Sequence, residues 1–375
     1  MKKVVLITNI PTPYRVPLFN ELSEALKVRG VQLHVIFGAA TYARRKFVVP
    51  LSEFRFEYSI LGSSAIQRKD VERTSFLYNG LSGKLKQLSP DAVIVSGFSM
   101  ATWKVFLRSI FRRQPYYIWN GSVIDSYRQE GWLKRLFRKV LLTRATGFIS
   151  YGKKAKEYLV QLGARPEKVV AGVNTVDTSF FARETEKIRQ STPLHDGKKH
   201  LLSIGYLSRR KNIRQLIELV RELSTHRRDF VLDLIGDGDQ RMELESMVKR
   251  YGIEDMVVFH GYLQKEELPA HMARASLFLF QTDFDIWGLV LNEAMAAGLP
   301  VICSSHAGAS ADLIREGETG FIMDFEQLEP VVARVNDLLN DPETCRRIGI
   351  NAAGFISRFA TLQHSADAFL RMLQR

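Results

Sequence analysis

The sequence predicts an α/β protein of two Rossmann-like, doubly wound domains that face each other across an interdomain cleft. Three observations predict it. Short apolar runs of strand length alternate with helix-period segments, and the alternation pauses at a polar stretch and then begins again. The chain, at 375 residues, is also long enough to build two separate cores.

In the first half the strand candidates are Lys3–Thr8, Gln32–Phe37, Ala92–Ser96, Tyr116–Trp119 and Gly147–Ser150. Helix-period segments lie between several of them, at Val16–Lys27, Ser75–Gln87 and Met100–Phe111. The run Phe54–Ile60 reads as an added strand or a hairpin arm. The pattern restarts after the polar stretch around Arg183–Lys199. Strands are then expected at His200–Ile204, Phe230–Ile235, Met256–His260, Ser276–Phe280 and Leu299–Cys303. The intervening helices are Ile213–Leu223, Gln240–Tyr251, Gly288–Ala297 and Leu328–Leu339. This places a first domain over 1–180 and a second over 181–359. The final helix, after the Phe359-Ala-Thr361 break, is expected to return to the first domain. In open sheets of this kind ligands collect beyond the carboxyl ends of the strands, which says where to look but not for what.

Composition narrows the class. Hydrophobic content of 46% and charged content of 25% are those of a water-soluble globular chain. No apolar run approaches the roughly 18 residues a membrane span needs. The opening Met-Lys-Lys followed by Val4–Thr8 reads as a first strand rather than a signal peptide, because Asn9 and Pro11 end it. Cys303 and Cys345 give neither a disulfide framework nor a metal-ligand spacing, and a cytoplasmic location is expected.

The net charge of +13 is unevenly spread. About 30 basic and 13 acidic residues occur up to Thr185, roughly +17, leaving about −4 for the rest. The excess is densest between Lys104 and Lys156. Within it, Trp132, Leu133, Leu136, Phe137, Val140 and Leu141 form an apolar stripe at helical spacing beside Lys134, Arg135, Arg138 and Lys139. One reading is a core-packed helix with a solvated basic face. Another is docking on an anionic membrane surface, peripheral on its inner face. Nucleic acid is a third, without any accompanying binding motif.

The segment richest in chemistry runs from Asp285 to Val301, Asp-Ile-Trp-Gly-Leu-Val-Leu-Asn-Glu-Ala-Met-Ala-Ala-Gly-Leu-Pro-Val. It reads as a loop, a glycine, a short helix, a Gly-Leu-Pro stop and a strand. Gly288 lets the backbone approach a ligand, and the free amides of the following helix start form an anion site. Asp285 stands ahead of that site and Glu293 more than a turn into the helix. Acid, amides and second acid suit hydroxyl, phosphate and hydroxyl, the layout of a nucleotide-sugar.

This segment closely resembles the E-x7-E motif of the large retaining two-domain glycosyltransferase family, family 4 or group 1, with its GT-B fold. The family's E-A-M-A-x-G-x-P-V run is matched from Glu293 to Val301. The resemblance implies that Glu293 binds the ribose, that the first acid, here Asp285 in place of Glu, holds a donor-sugar hydroxyl, and that Gly288, Leu289 and Val290 lend amides to the diphosphate. Ser203-Ile-Gly205-Tyr-Leu-Ser-Arg-Arg-Lys211 resembles the family's G-R-L-x-x-x-K-G loop, which implies that Lys211 neutralises the leaving diphosphate. Tyr206 replaces the usual arginine, with Arg209 or Arg210 as the substitute. Val257-Val-Phe-His-Gly-Tyr262-Leu263 resembles the strand and loop that cradle the nucleobase; burial of Tyr262 and Leu263 in the core is the alternative. Val173–Phe181 resembles the family's interdomain signature. Asp283 and Asp285 also spell D-x-D, but the family resembled works without a metal, so neither a metal nor a cofactor is expected.

The resemblance is dense from Asn174 to Phe321 and thin before it, as expected if the first domain binds a variable acceptor. There Tyr14 and Arg15, in a proline-rich loop after the first strand, are acceptor candidates, with a surface arginine as the alternative for Arg15. Asn120 stands where many relatives carry a histidine. Taken together these features imply a retaining transfer from a UDP or GDP sugar to a hydroxyl of a glycan or lipid-linked acceptor, in cell-surface polysaccharide synthesis. The rivals are a nucleotide-sugar 2-epimerase of the same architecture, a transferase that only binds, and a basic nucleic-acid-binding protein.

Overall fold

A computed structural model of the chain describes residues 1–42, 47, 49–62, 65–67, 74–124, 131–191 and 196–374. They fall into two compact units, Met1–Val176 with Leu362–Arg375, and Asp177–Thr361.

The first unit runs β1 (Lys3–Thr8), α1 (Val16–Lys27), β2 (Gln32–Phe37), β3 (Glu57–Ile60), β4 (Ala65–Gln67), β5 (Thr74–Phe76), α2 (Leu81–Leu88), β6 (Ala92–Ser96), α3 (Met100–Arg112), β7 (Tyr116–Asn120), α4 (Trp132–Leu142), β8 (Gly147–Ser150), α5 (Lys153–Leu162) and β9 (Val169–Ala171). Among the described residues seven strands form one parallel sheet in the order β3-β2-β1-β6-β7-β8-β9. The Phe54–Ile60 run therefore supplies an added edge strand, not a hairpin arm. The expected helix from Ser75 begins later. Thr74–Phe76 pairs antiparallel with Ala65–Gln67, and Gly80, at φ +76°, turns the chain into α2.

The second unit runs α6 (Thr178–Ser191), β10 (Lys199–Ile204), α7 (Ile213–Leu223), β11 (Phe230–Ile235), α8 (Arg241–Tyr251), β12 (Val257–Gly261), α9 (Leu268–Arg274), β13 (Ala275–Phe280), α10 (Leu289–Ala296), β14 (Val301–Cys303), α11 (Ser310–Leu313), β15 (Phe321–Ile322), α12 (Leu328–Asn340) and α13 (Pro342–Phe359). Its six described strands are also parallel, in the order β12-β11-β10-β13-β14-β15. The polar stretch expected around Arg183–Lys199 is helical as far as Ser191, since Phe181 and Thr185 bury one side of α6; residues 192–195 lie outside the described ones. Finally α14 (Leu362–Leu373) packs in the first unit, against α1, β8 and β9, with Phe369 fully buried and 5.1 Å from the ring of Trp119.

Each sheet is buried on both faces, which is why its strands read as continuous apolar runs rather than alternating ones. Val4, Leu6, Val5 and Ile7 of β1 are all fully buried, two on each face. The strand order reverses between β1 and β6 in one unit and between β10 and β13 in the other. Those are the switch points where a doubly wound sheet opens a crevice at its carboxyl edge.

One expectation fails here. The helix at 132–142 is not core-packed along its apolar stripe. Leu141 and Leu142 are buried and Phe137 is partly so, but Trp132, Leu133, Leu136 and Val140 are exposed. Its second half reaches the core, and Arg138 also turns inward, donating to the Tyr158 hydroxyl and lying 5.1 Å from the ring of Phe98. No helix among the described residues is long and apolar enough to cross a membrane.

Candidate functional site

In the second unit two loops meet at the switch point, one after β10 and one after β13. They are tied together by backbone and side chain. The Gln281 amide donates to the Lys211 carbonyl at 2.8 Å, Thr282 Oγ1 and Asp283 N–H donate to the Arg210 carbonyl, and Asn212 Nδ2 donates to Asp283 Oδ1 at 2.6 Å. These bonds bring Arg210, Lys211 and Asp285 together although they lie some 75 positions apart in the chain.

Lys211 Nζ donates to Asp285 Oδ2 at 2.6 Å, and Arg210 Nη1 donates to the same oxygen at 3.3 Å and to the Phe284 carbonyl at 2.6 Å. The Trp287 amide donates to Asp285 Oδ1 at 3.1 Å. Burial alone would raise the Asp285 carboxyl, but Lys211 and Arg210 overrule it and hold the group down at about 2. Lys211 is itself buried, its ammonium 4.5 Å from the ring centre of Phe280. Between the two candidate cations that replace the family arginine, Arg210 is the one turned to Asp285; Arg209 stays exposed.

The segment carrying Asp285 is fixed from its other side. Asp285 pairs with Ala307 as an isolated bridge, and the amides of Gly308 and Ala309 donate to the carbonyls of Asp285 and Trp287 at 2.9 Å. A Cβ on Gly308 would lie 1.9 Å from the Ile286 carbonyl oxygen, so only glycine allows this approach. Gly288 then turns into α10 at φ +92°, and a Cβ there would lie 2.7 Å from Phe280 Cε1. The same Phe280 thus sets the glycine turn and backs Lys211. The amides of Leu289 and Val290 open α10, where no intrahelical carbonyl precedes them.

Glu293 stands one turn further along α10, roughly 6 Å up the helix axis from Leu289. Its carboxyl has no hydrogen bond or ion pair among the described residues. Burial raises it to about 7, against a weak opposing pull from Lys265. A half-buried carboxyl without a partner is costly for the fold alone, and therefore marks a place where a ligand is expected to supply the donor.

Gly205 follows the end of β10, and the Lys211 stem passes 3.7 Å from where its Cβ would be. Tyr262 is exposed and Leu263 half-exposed after β12, so the alternative of core burial for this pair does not hold. Asp283 is engaged by Asn212, and among the described residues no group of three His, Cys, Asp or Glu is disposed to hold a metal ion. Phe280 and Asn212 were not singled out in the sequence. An aromatic in a strand gives no sign of what lies over it, and Asn212 is legible only as the residue after Lys211.

In the first unit the corresponding edge is differently arranged. Arg15 is not a surface arginine. It is buried, donating to Asn174 Oδ1 at 2.9 Å and to the Tyr151 hydroxyl at 2.6 Å, with its guanidinium 4.0 Å from the ring centre of Trp119. Asn120 is fully buried and closes its own loop through two bonds with the backbone of Ser122. Tyr14 remains partly exposed beside them.

Comparison with known proteins bears on the second unit most directly. Residues 184–355 match the family described as Glycosyl transferases group 1. The second unit is thus similar to the group 1 glycosyl transferases. Among curated relatives, the GDP-mannose-dependent alpha-(1-6)-phosphatidylinositol monomannoside mannosyltransferase of Mycolicibacterium smegmatis is 30% identical over 185 residues, 47% of this chain and 48% of that protein. N-acetyl-alpha-D-glucosaminyl L-malate synthase of Bacillus anthracis is 28% identical over 190 residues, 50% of this chain and 49% of that one. The chain spans about half the length of the curated relatives it matches. Solved structures match over more of it. Anabaena HepE in complex with UDP superposes with a TM-score of 0.77 at 18% identity, covering 100% of both chains. Sucrose-phosphate synthase of Thermosynechococcus elongatus gives 0.78 at 17%, covering 100% and 98%. The two parallel sheets are therefore those of the GT-B fold.

Proposed function

We propose that the chain is a retaining glycosyltransferase that moves a sugar from a uridine or guanosine diphosphate donor to a hydroxyl of a glycan or lipid-linked acceptor, in cell-surface polysaccharide synthesis. The observation that carries this reading is the unpartnered Glu293 carboxyl placed one turn beyond free helix amides, with Lys211 and Arg210 held at the same strand ends. Amides and cations match a diphosphate, and the carboxyl matches a pair of ribose hydroxyls. Tyr262 and Leu263 are accessible to a nucleobase.

In this scheme the amides of Gly288, Leu289 and Val290 and the Lys211 ammonium stabilise charge as it develops on the departing diphosphate. The departing phosphate oxygen accepts the proton of the attacking hydroxyl on the same face of the sugar, which retains configuration and needs no protein base. Asp285 orients the sugar. Both of its oxygens already accept bonds, so it does this while positioning the two cations. On the acceptor side Tyr14 is available for contact, while Arg15 and Asn120 hold the loops around it. The names of relatives support donor chemistry without choosing the base, since one uses GDP-mannose and another is solved with UDP. A relative in Salmonella typhimurium is described as a putative colanic acid biosynthesis glycosyltransferase, which supports the polysaccharide role. A lipid-linked acceptor would place the work in the cytoplasm, at the inner membrane face.

Calorimetry with UDP, GDP, ADP and their sugars, without added metal, tests the proposal. Selective micromolar binding of one base, lost in Glu293→Ala, is the expected result. A folded protein that binds none of them would overturn it.

A further inference from the structure

We infer that α3 and α4 of the first unit form a docking face for an anionic lipid surface, into which they insert apolar side chains. The inference deepens the lipid-linked reading above and rests on it for its purpose, although the docking itself requires nothing of the donor site.

Large apolar side chains are concentrated on these two helices on the side away from the sheet. On α3, Leu107, Ile110 and Phe111 are exposed, Phe111 to 81%. On α4, Trp132, Leu133, Leu136 and Val140 are exposed, Trp132 to 72%. Their spacing gives each helix an outward stripe in addition to its inward one. The stripes belong to one patch. Trp103, three and four positions from Met100 and Leu107 on α3, lies 5.5 Å from Phe137, which is four and three positions from Leu133 and Val140 on α4. Contiguous exposed apolar surface of this kind marks an interaction site.

The surrounding charge identifies the occupant. Neither helix contains an acidic residue, and exposed Arg112, Arg113, Arg135 and Lys139 border the stripes. An aliphatic and aromatic stripe edged by cations is the pattern of a helix lying in a lipid interface, where apolar burial and attraction to anionic headgroups add. A second copy of this chain fits poorly, because a self-complementary contact would bring these cations against their own equivalents. Nucleic acid would leave Leu133, Leu136 and Val140 without a partner.

The full chain is tested with vesicles of phosphatidylcholine alone and with about a third phosphatidylglycerol, by flotation and by quenching with brominated lipid. Of the four tryptophans, Trp119 and Trp287 are buried and Trp103 partly so, so quenching reports on Trp132. Flotation and quenching are expected with the anionic vesicles only. Arg135→Gln with Lys139→Gln should weaken partitioning about thirtyfold, from about 1 kcal/mol per cation. Phe111→Ser with Leu133→Ser, both at exposed positions, should weaken it at least about tenfold and lower the quenching, with an unchanged melting temperature. No flotation, flotation without quenching, indifference to the Phe111 and Leu133 changes, or Phe111-dependent self-association without vesicle binding would each overturn the inference. Glu293→Ala should float like the parent protein; if it does while the parent binds no nucleotide, the donor reading fails and the docking face stands.

Discussion

At the carboxyl edge of the first sheet the conspicuous ionic group, Arg15, is bonded to Asn174 and Tyr151 and covered by Trp119. At the same edge of the second sheet the cations are bonded to Asp285, but Glu293 has no partner and the amides of Leu289 and Val290 face outward from a helix start. One edge engages its cation internally, and the other keeps a carboxyl without a partner among the described residues. The contrast shows how a common architecture separates stability from binding. A buried cation held by hydrogen bonds and aromatic rings fixes a loop in place, whereas a buried carboxyl without a donor costs the fold.

The largest expected effect that would break this contrast comes from Lys211→Ala. Turnover should fall about 10² to 10³-fold, as for loss of one group stabilising a leaving charge. A folded variant with near-parental rate would remove Lys211 from the site. Next is the pH dependence at Glu293. With the carboxyl at about 7 in the free protein, a nucleotide-sugar should bind more tightly as pH rises toward 7 and then level off. The gain should be about tenfold per unit below the plateau, and Glu293→Gln should flatten it, read by calorimetry from pH 5.5 to 8. For the fold the sign is opposite. A carboxyl raised in the folded state lowers stability as pH climbs from its unfolded value near 4.5 to about 7, so Glu293→Gln should raise the melting temperature at pH 8 more than at pH 5. Smaller still, Arg15→Ala should cost about 3 kcal/mol of first-unit stability, by removing its bonds to Asn174 and Tyr151 and its packing on Trp119, with donor affinity unchanged. A marked loss of donor affinity instead would show that the two edges are not independent. Excess chelator is expected to have no effect on donor binding, and strict metal dependence would contradict the diphosphate scheme.

Legibility in the sequence followed the same division. Most strands were readable because buried parallel strands are uninterrupted apolar runs, and the proposed donor edge was readable because its glycines, lysine and acids lie in short contiguous segments. What escaped depended on contacts between distant residues. Nothing local marks Phe280 as the support of both Gly288 and Lys211, or Arg15 as an internal clamp. The α4 stripe left its readings open for a related reason, since periodicity locates an apolar face without saying whether anything covers it. The extended pairing at Thr74–Phe76 replaced the expected first turn of α2 because a cross-strand partner, invisible in sequence, was present.

The position of α14 has a consequence for how the chain acquires its shape during synthesis. The second unit is continuous from Asp177 to Thr361, whereas the first needs residues from Leu362 onward to cover Trp119, β8 and β9. A chain emerging amino end first therefore makes the segment that completes its first unit after all of its second. The usual order, in which the amino-terminal domain matures before its successor, is reversed here. Until α14 is made, the nascent first unit exposes the apolar face that Phe369, Leu370 and Met372 later cover. Translation stalled near residue 361 should leave a finished second unit tethered to an unfinished, aggregation-prone partner.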